Sequence, residues 1–197
     1  GVDDVLLAAL GMAVARWRGR DRVPVALEGH GRVPELVAGA DLGRTVGWFT
    51  DLHPAALDLR GIDVADAFAA GPAAGTLLKR IKEHRRGLPA SGAGYGLLRH
   101  LDPAGRTALG ALPEPEIAFN YLGRFDTGAA VGDDWTPAAE FGALGGTVDR
   151  DAPATWPIEV NAATEAGVLR ASWAFPCGLF DRAEIAELAG HWRDALD

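Results

Sequence analysis

The 197-residue chain is poor in cysteine and lysine and has no long hydrophobic run. Its single cysteine, Cys177, excludes an intramolecular disulfide and any metal cluster that several cysteines would hold. No apolar stretch approaches the roughly 20 residues that a membrane span requires. No signal peptide is expected either. These absences predict a protein of the reducing cytoplasm that does not enter a membrane, with Cys177 as a half-buried structural thiol.

The charge balance excludes further classes of protein. A formal net charge of −8 argues against a sequence-independent binder of nucleic acid or of anionic membranes. The five histidines form no i, i+4 pair and have no cysteine partners, so a zinc site is not predicted. The sequence also lacks the G-x-S-x-G turn that presents a nucleophilic serine. We therefore predict no bound metal.

Hydrophobic periodicity predicts alternating helices and strands within one domain-sized unit, residues 1–197. Helices are expected around Val5–Trp17, over residues 63–86 with a break at Gly71-Pro72, and at the end of the chain with Asp181 as its N-cap. A glycine-rich loop at residues 88–101 leads into a short helix. Strands are expected at residues 23–32, 116–126, 141–148, 155–164 and 167–175. A further strand at 44–59 is expected to be interrupted at Pro54. A loop is expected at 127–137.

Two predicted strands carry polar residues that are candidates for a functional site. In VPVALEGHGR, side chains alternate with period two, so Glu28, His30 and Arg32 share one face if the chain stays extended. This pattern fits either a charged turn in which Glu28 pairs with Arg32, or part of a reactive site. In the strand at 116–126, Asn120 and Tyr121 interrupt an apolar pattern, which fits either a buried hydrogen-bonded pair or a functional one.

A basic run, KRIKEHRR, ends the helix predicted at residues 72–86. Leu77, Leu78 and Ile81 are expected to face inward and the charged residues outward. The run has two interpretations: a solvated helix face, or a patch that receives an acidic partner.

Four segments occur in a recognisable order: EGHGR at 28–32, TVGWFTDLHP at 45–54, LPASGAGYGLLRHL at 88–101 and FNYLGRFD at 119–126. Together they resemble the C-terminal half of an epimerization domain of a nonribosomal peptide synthetase, and the resemblance covers nearly the whole chain. It implies an α/β fold similar to a lobe of chloramphenicol acetyltransferase, a mixed sheet packed by helices. In this family two such lobes form a V with a tunnel between them.

The resemblance also implies a reaction. A carrier protein's phosphopantetheine arm brings an aminoacyl or peptidyl thioester into the tunnel, and the enzyme removes and returns the Cα proton, interconverting L and D forms. No metal or redox cofactor takes part. By matching motifs, Glu28 and Tyr121 are expected to be catalytic, Glu28 with a pKa raised by its enclosure and Tyr121 as a proton donor or orienting group. The expected substrate-binding residues are His30, Arg32, Trp48 and Asn120.

The sequence departs from the family pattern in two ways. Val33 follows Arg32 where the family usually has an acid, with Glu35 two places later. No two histidines are adjacent, so the family's HHxxxDG motif is absent and is expected on a preceding N-terminal lobe. The isolated chain is therefore expected not to epimerize a carrier-bound thioester. Two other functions remain open: a condensation-type lobe that forms peptide bonds, and a non-catalytic module that binds a carrier protein and its phosphopantetheine arm.

Overall fold

Five strands form one mixed sheet in the computed structural model, which describes residues 1–33, 38–125 and 152–197. The strands are β1 (Arg22–Gly29), β2 (Asp51–Asp58), β3 (Ile117–Phe125), β4 (Ile158–Glu165) and β5 (Val168–Ala174). The helices are α1 (Val2–Arg18), α2 (Val64–Phe68), α3 (Pro72–Arg86), α4 (Gly94–His100), α5 (Pro103–Gly110) and α6 (Arg182–Asp194), with a short 3₁₀ turn at Pro89–Gly92. The predicted α/β class with a helix-packed mixed sheet is confirmed.

The strand order is β2-β1-β3-β4-β5. The three central strands β1, β3 and β4 are parallel, while β2 and β5 pair antiparallel at the two edges. The carboxyl ends of the central strands therefore meet at one end of the sheet, which is where sheets of this kind place their ligand sites.

One face of the sheet is apolar and packs against the helices; it is called the covered face below. Every second residue of each strand points to this face, and these side chains form a single core with the inward side chains of the helices. The largest fully buried side chains of this core are those of Leu7, Leu10, Val25, Leu57, Leu59, Leu77, Ile81, Val160 and Leu188. Helices α1 and α6 are also joined by a hydrogen bond from Trp192 Nε1 to the carbonyl oxygen of Leu6, at 3.0 Å.

Local signals place the helix ends as expected. The carboxylate of Asp181 accepts from the N–H of Glu184 at 2.8 Å, and the Glu184 carboxylate accepts from the N–H of Asp181 at 3.1 Å. This reciprocal capping box starts α6. Gly71 and Pro72 separate α2 from α3, because Pro72 fits the first turn of a helix but not its interior. Both predictions are confirmed.

The expected break at Pro54 is wrong, since β2 runs through it from Asp51 to Asp58. The N–H of Ala56 points away from β1 and donates to His84 Nε2 at 3.3 Å. Pro54 lies two residues earlier on the same edge strand, so its missing N–H removes no bond to β1. Residues 44–50, which were expected to belong to this strand, form no regular element.

The remaining expectations are partly confirmed, partly wrong and partly outside the described residues. The strands expected at 155–164 and 167–175 correspond to β4 and β5, joined at Gly167, whose φ is +79°. Cys177 is exposed, so its prediction as a half-buried thiol is wrong; it lies in the turn that follows β5, outside the core. The loop at 127–137 and the strand at 141–148 lie outside the described residues. Among the helices described, none is long and apolar enough to cross a membrane.

Candidate active site at the carboxyl ends of the central strands

The second face of the sheet carries the polar residues of the central strands. Val25, Ala26 and Leu27 pair with residues 117–119, so Glu28 comes level with Asn120 on β3. Asn120 in turn pairs with Asn161 on β4. This side of the sheet is called the polar face below, and its central members are Ala26, Glu28, Leu52, Ala118, Asn120, Glu159, Asn161 and Ser172.

Glu28 is the last residue but one of β1, and its side chain is exposed. Its pKa is raised above the ordinary glutamate value, first by partial burial of the carboxylate and then by the negative charges of Glu159 and Asp51. Among the residues described, it forms no ion pair with Arg32. The interpretation of EGHGR as a turn closed by a Glu28–Arg32 pair is therefore wrong. A carboxylate whose pKa is raised in this way holds its proton to higher pH and is a stronger base once ionised.

Arg32 holds the loop that follows β1. Its guanidinium donates to the carbonyl oxygens of Leu42 at 2.8 Å and Thr45 at 2.9 Å, and lies 4.3 Å from the centre of the Phe49 ring. The chain leaves the strand at Gly29 and turns at Gly31, whose φ is +59°. Arg32 therefore does not share a face with Glu28, as the extended-chain expectation required. Its role as a substrate-binding residue stays a prediction.

A cavity of 820 Å³ opens beside Glu28 and is lined by four of the six predicted site residues. Glu28, His30, Asn120 and Tyr121 border it, whereas Arg32 does not. Trp48 is also absent from its lining, and its side chain is 90% exposed. The structure thus brings four predicted residues together and leaves two outside.

Asn120 and Tyr121 are adjacent in β3 and belong to opposite faces of the sheet. The Tyr121 side chain packs against the core, and its hydroxyl lies 2.9 Å from the hydroxyl of Thr164. The hydrogen-bond partner of Tyr121 is thus Thr164, which makes the interpretation as an Asn120–Tyr121 pair wrong.

The sequence interpretation missed a pair of polar residues on β2, Asp51 and a buried His53. Nδ1 of His53 lies 3.2 Å from the carboxylate of Asp51, and only 7% of His53 is exposed. Both residues line the 820 Å³ cavity. Gly92 packs against the histidine so closely that a Cβ there would lie 2.2 Å from Nδ1. The available signal was the alternation of polar residues in TDLHP, which the expected strand break obscured.

The basic run at the end of α3 is largely structural. Arg80 donates to the carbonyl oxygens of Asp58 and Arg60 at 3.2 and 2.7 Å. Arg85 bridges to the carboxylates of Asp3 at 3.2 Å and Asp4 at 2.5 Å. Burial tends to raise the pKa of Asp4, but hydrogen bonds from the Gly1 nitrogen and Arg85 lower it overall. Lys82 and Arg86 also line the cavity. Arg80 and Arg85 are therefore engaged within the chain, and the patch for an acidic partner stays a prediction.

Comparison with known proteins identifies the family to which this fold belongs. The condensation-domain family model matches residues 1–197, so the chain belongs to the condensation-domain family. A curated relative is a linear gramicidin synthase polypeptide from Brevibacillus parabrevis, 39% identical over 197 residues. That match covers 99% of this chain and 2% of the relative, so the chain spans only a small part of that protein.

Solved structures refine the comparison. The crystal structure of the epimerization domain from the third module of tyrocidine synthetase B matches with a TM-score of 0.82 and 31% identity. The match covers 100% of this chain and 41% of that one. The first condensation domain of the CDA synthetase matches with a TM-score of 0.55 and 17% identity, over 100% of this chain and 40% of that one. The chain is a condensation-superfamily domain of the kind found in nonribosomal peptide synthetases.

Proposed function

We propose that the chain is the C-terminal half of an epimerization domain that interconverts L and D aminoacyl or peptidyl thioesters. The observation that carries this proposal is Glu28, a carboxylate of raised pKa at the wall of an 820 Å³ cavity. The TM-score of 0.82 to an epimerization domain, against 0.55 to a condensation domain, supports the same choice.

The chemistry requires a positioned base. The Cα–H next to a thioester carbonyl becomes acidic when the developing enolate oxygen is stabilised. Glu28 takes this proton, which breaks the Cα–H bond and leaves its electron pair in the enolate. A proton delivered to the opposite face of Cα then inverts the centre. The group on that face belongs to the N-terminal lobe, which we propose precedes this chain.

The other site residues hold the substrate around Glu28. Asn120 lies level with Glu28 on the polar face and offers a hydrogen-bond donor, while His30 and Tyr121 border the same cavity. Tyr121 is the second catalytic residue proposed, as a proton donor or orienting group. Trp48 and Arg32 act from the loop between β1 and β2, where the exposed indole is accessible to a carrier-bound arm.

The proposed partner is a peptidyl carrier protein whose phosphopantetheine arm presents the thioester. The chain itself is proposed to bind no cofactor. Lys82 and Arg86 lie on the cavity wall, where their charges favour an acidic or phosphate-bearing partner.

The test is Glu28→Gln in the full-length protein that contains this chain. The measurement is deuterium uptake from heavy water at Cα of L-alanyl, L-valyl and L-phenylalanyl phosphopantetheine thioesters. We expect the exchange rate to fall by about 100-fold or more, because a positioned base contributes at least that factor. Glu165→Gln is the matched control, since Glu165 lies at the far end of β4 and pairs with Arg170. Exchange at the wild-type rate in Glu28→Gln would falsify the catalytic role of Glu28.

The family match also favours a second candidate, a condensation domain that joins two carrier-bound substrates. The two functions differ in product. Two carrier proteins loaded with different amino acids yield a dipeptide if the protein condenses, and a mixture of L and D aminoacyl thioesters without dipeptide if it epimerizes. Dipeptide formation without Cα exchange would replace the epimerase proposal.

A further inference from the structure

A second carboxylate lies on the same face of the sheet as Glu28. Glu159 is on β4, where it pairs with Ala118, two residues before the Asn120–Asn161 pair on each strand. Glu28, Asn120, Glu159 and Asn161 together border a pocket of 120 Å³, separate from the larger cavity and lined also by Trp156. Two strands that are distant in the sequence thus bring two acids to one small polar pocket.

The position of Glu159 is fixed by its neighbour on the strand. The side-chain amide of Asn161 donates to the Glu159 carboxylate at 2.7 Å. Residues two apart on a strand point to the same face, so this bond aligns the carboxylate along the polar face. In the ranges that the structure describes, no lysine, arginine or histidine lies within 4.0 Å of that carboxylate. Its charge is therefore held in place by an amide, which does not neutralise it.

We propose that Glu159, fixed by Asn161, is a positioning residue for Glu28 that acts on its protonation across the polar face. The inference rests on the proposed function, in which Glu28 is the base. Glu159 contacts no reacting atom in this proposal. Its charge disfavours a second negative charge nearby, so Glu28 holds its proton to higher pH and is a stronger base when ionised.

The other charged or titratable groups around Glu28 come from α1, α3, β2, β3 and the loop after β1. Asp3 and Asp4 of α1 are matched by Arg85 of α3, and Asp51 of β2 lies beside His53. The remaining charged or titratable groups at the cavity are His30, Lys82, Arg86 and Tyr121. Burial is the largest cause of the raised pKa of Glu28, Glu159 is the next and Asp51 follows. Of the two acids that raise this pKa, Glu159 is the one on the polar face.

The experiment compares pH–rate profiles of Cα deuterium exchange for wild type, Glu159→Gln and Glu165→Gln in the full-length protein, with the same three thioesters. Both substitutions remove one negative charge from β4. Glu165 lies four residues beyond the level of Glu28, about 13 Å along the strand direction at the usual rise, which exceeds the screening length at physiological salt, and its charge is paired with Arg170. Glu159→Asp keeps the charge and serves as the rescue variant.

We expect the acid limb of the Glu159→Gln profile to move to lower pH. The rate at the acid end, relative to the plateau, should rise about twofold, because both carboxylates are partly exposed and their interaction is screened. Raising the salt concentration should shrink the difference. Glu165→Gln and Glu159→Asp should follow the wild-type limb.

The outcomes separate this inference from the proposed function. Suppose that Glu28→Gln abolishes exchange while the acid limb of the Glu159→Gln profile coincides with that of wild type. The assignment of Glu28 as the base is then supported, and the role of Glu159 is overturned. A limb that moves equally in Glu165→Gln also overturns it, because the effect is then one of net charge. If wild type shows no exchange, or if Glu28→Gln exchanges at the wild-type rate, the proposed function is wrong. The inference about Glu159 is then wrong as well, because it depends on Glu28 being the base.

Discussion

The two faces of the central sheet differ in what they contribute, although the same strands build both. On β1, Val25 is fully buried in the covered face, whereas Glu28 lies on the polar face with an exposed side chain. On β4, Val160 is fully buried and Glu159 is exposed. Alternating side chains therefore separate the residues that stabilise the fold from the residues available for chemistry, within single strands.

This difference explains how a carboxylate of raised pKa is tolerated. The covered face supplies the apolar burial that stabilises the sheet. The polar face then holds Glu28 near Glu159 and Asp51, an arrangement that disfavours the ionised form of Glu28 and raises its pKa. Substitutions of the buried apolar residues on the covered face should therefore change stability, and substitutions on the polar face should change chemistry.

The largest expected effect comes from Leu57→Ala on the covered face. Leu57 is 1% exposed, and removing its side chain leaves a cavity, so the free energy of unfolding should fall by about 2–5 kcal/mol. Leu52→Ala is the matched control, on the same strand with a side chain on the polar face and 41% exposure. Its cost should be about 1 kcal/mol or less. Urea denaturation followed by tryptophan fluorescence measures both. Equal losses would contradict the division between the faces.

An intermediate effect is expected from Gly31→Ala, in the turn that leaves β1. Gly31 has a φ of +59°, and a Cβ there would lie 1.5 Å from the carbonyl oxygen of Phe49. The free energy of unfolding should fall by about 2 kcal/mol from backbone strain. The loop anchored by Arg32 should also become a site of limited proteolysis.

Gly39→Ala is the control for that substitution. Gly39 has a φ of +80° in the same loop, but a Cβ there meets nothing within 4 Å. Only the left-handed conformation is then penalised, by about 1 kcal/mol, and the Arg32 contacts should remain. If the two variants unfold and are digested alike, the close approach to Phe49 does not hold the loop.

The sequence predicts the covered face well, because burial and periodicity are local properties of each strand. The alternation in VPVALEGHGR and in EIAFNYLGRFD correctly separates Val25 from Glu28 and Phe119 from Asn120. Four of the six predicted site residues also border one cavity, and their selection came from the family resemblance.

The polar face is harder to predict because it depends on pairing between distant strands. Glu159 and Asn161 have the pattern of ordinary exposed positions until the parallel pairing of β3 with β4 brings them beside Asn120. Arg32 was misplaced for a different reason: the positive φ of Gly31 ends the alternation on which the shared face depended. His53 was missed because Pro54 suggested a strand end, and only the edge position of β2 makes that proline harmless.

The smallest expected effect tests the polar face directly, through the stability of Glu28→Gln. Glu28 has a higher pKa in the folded protein than in the unfolded chain, so the folded state binds its proton more tightly. The stability of the wild type therefore falls as the pH rises from the unfolded pKa through the folded one. Glutamine removes this penalty. Glu28→Gln should equal or slightly exceed wild type in stability at pH 8, while its catalytic exchange is lost.

At pH 4 Glu28 is largely protonated in the folded state, and the difference between the two proteins should diminish. Urea denaturation of wild type, Glu28→Gln and Glu165→Gln at pH 8 and pH 4 measures this. The Glu165 control accounts for the general effect of removing one acid from a chain of net charge −8. A Glu28→Gln protein that is markedly less stable than wild type at pH 8 would mean that the carboxylate supports the fold. The polar face would then be structural at this position, and the separation of roles along β1 would not hold.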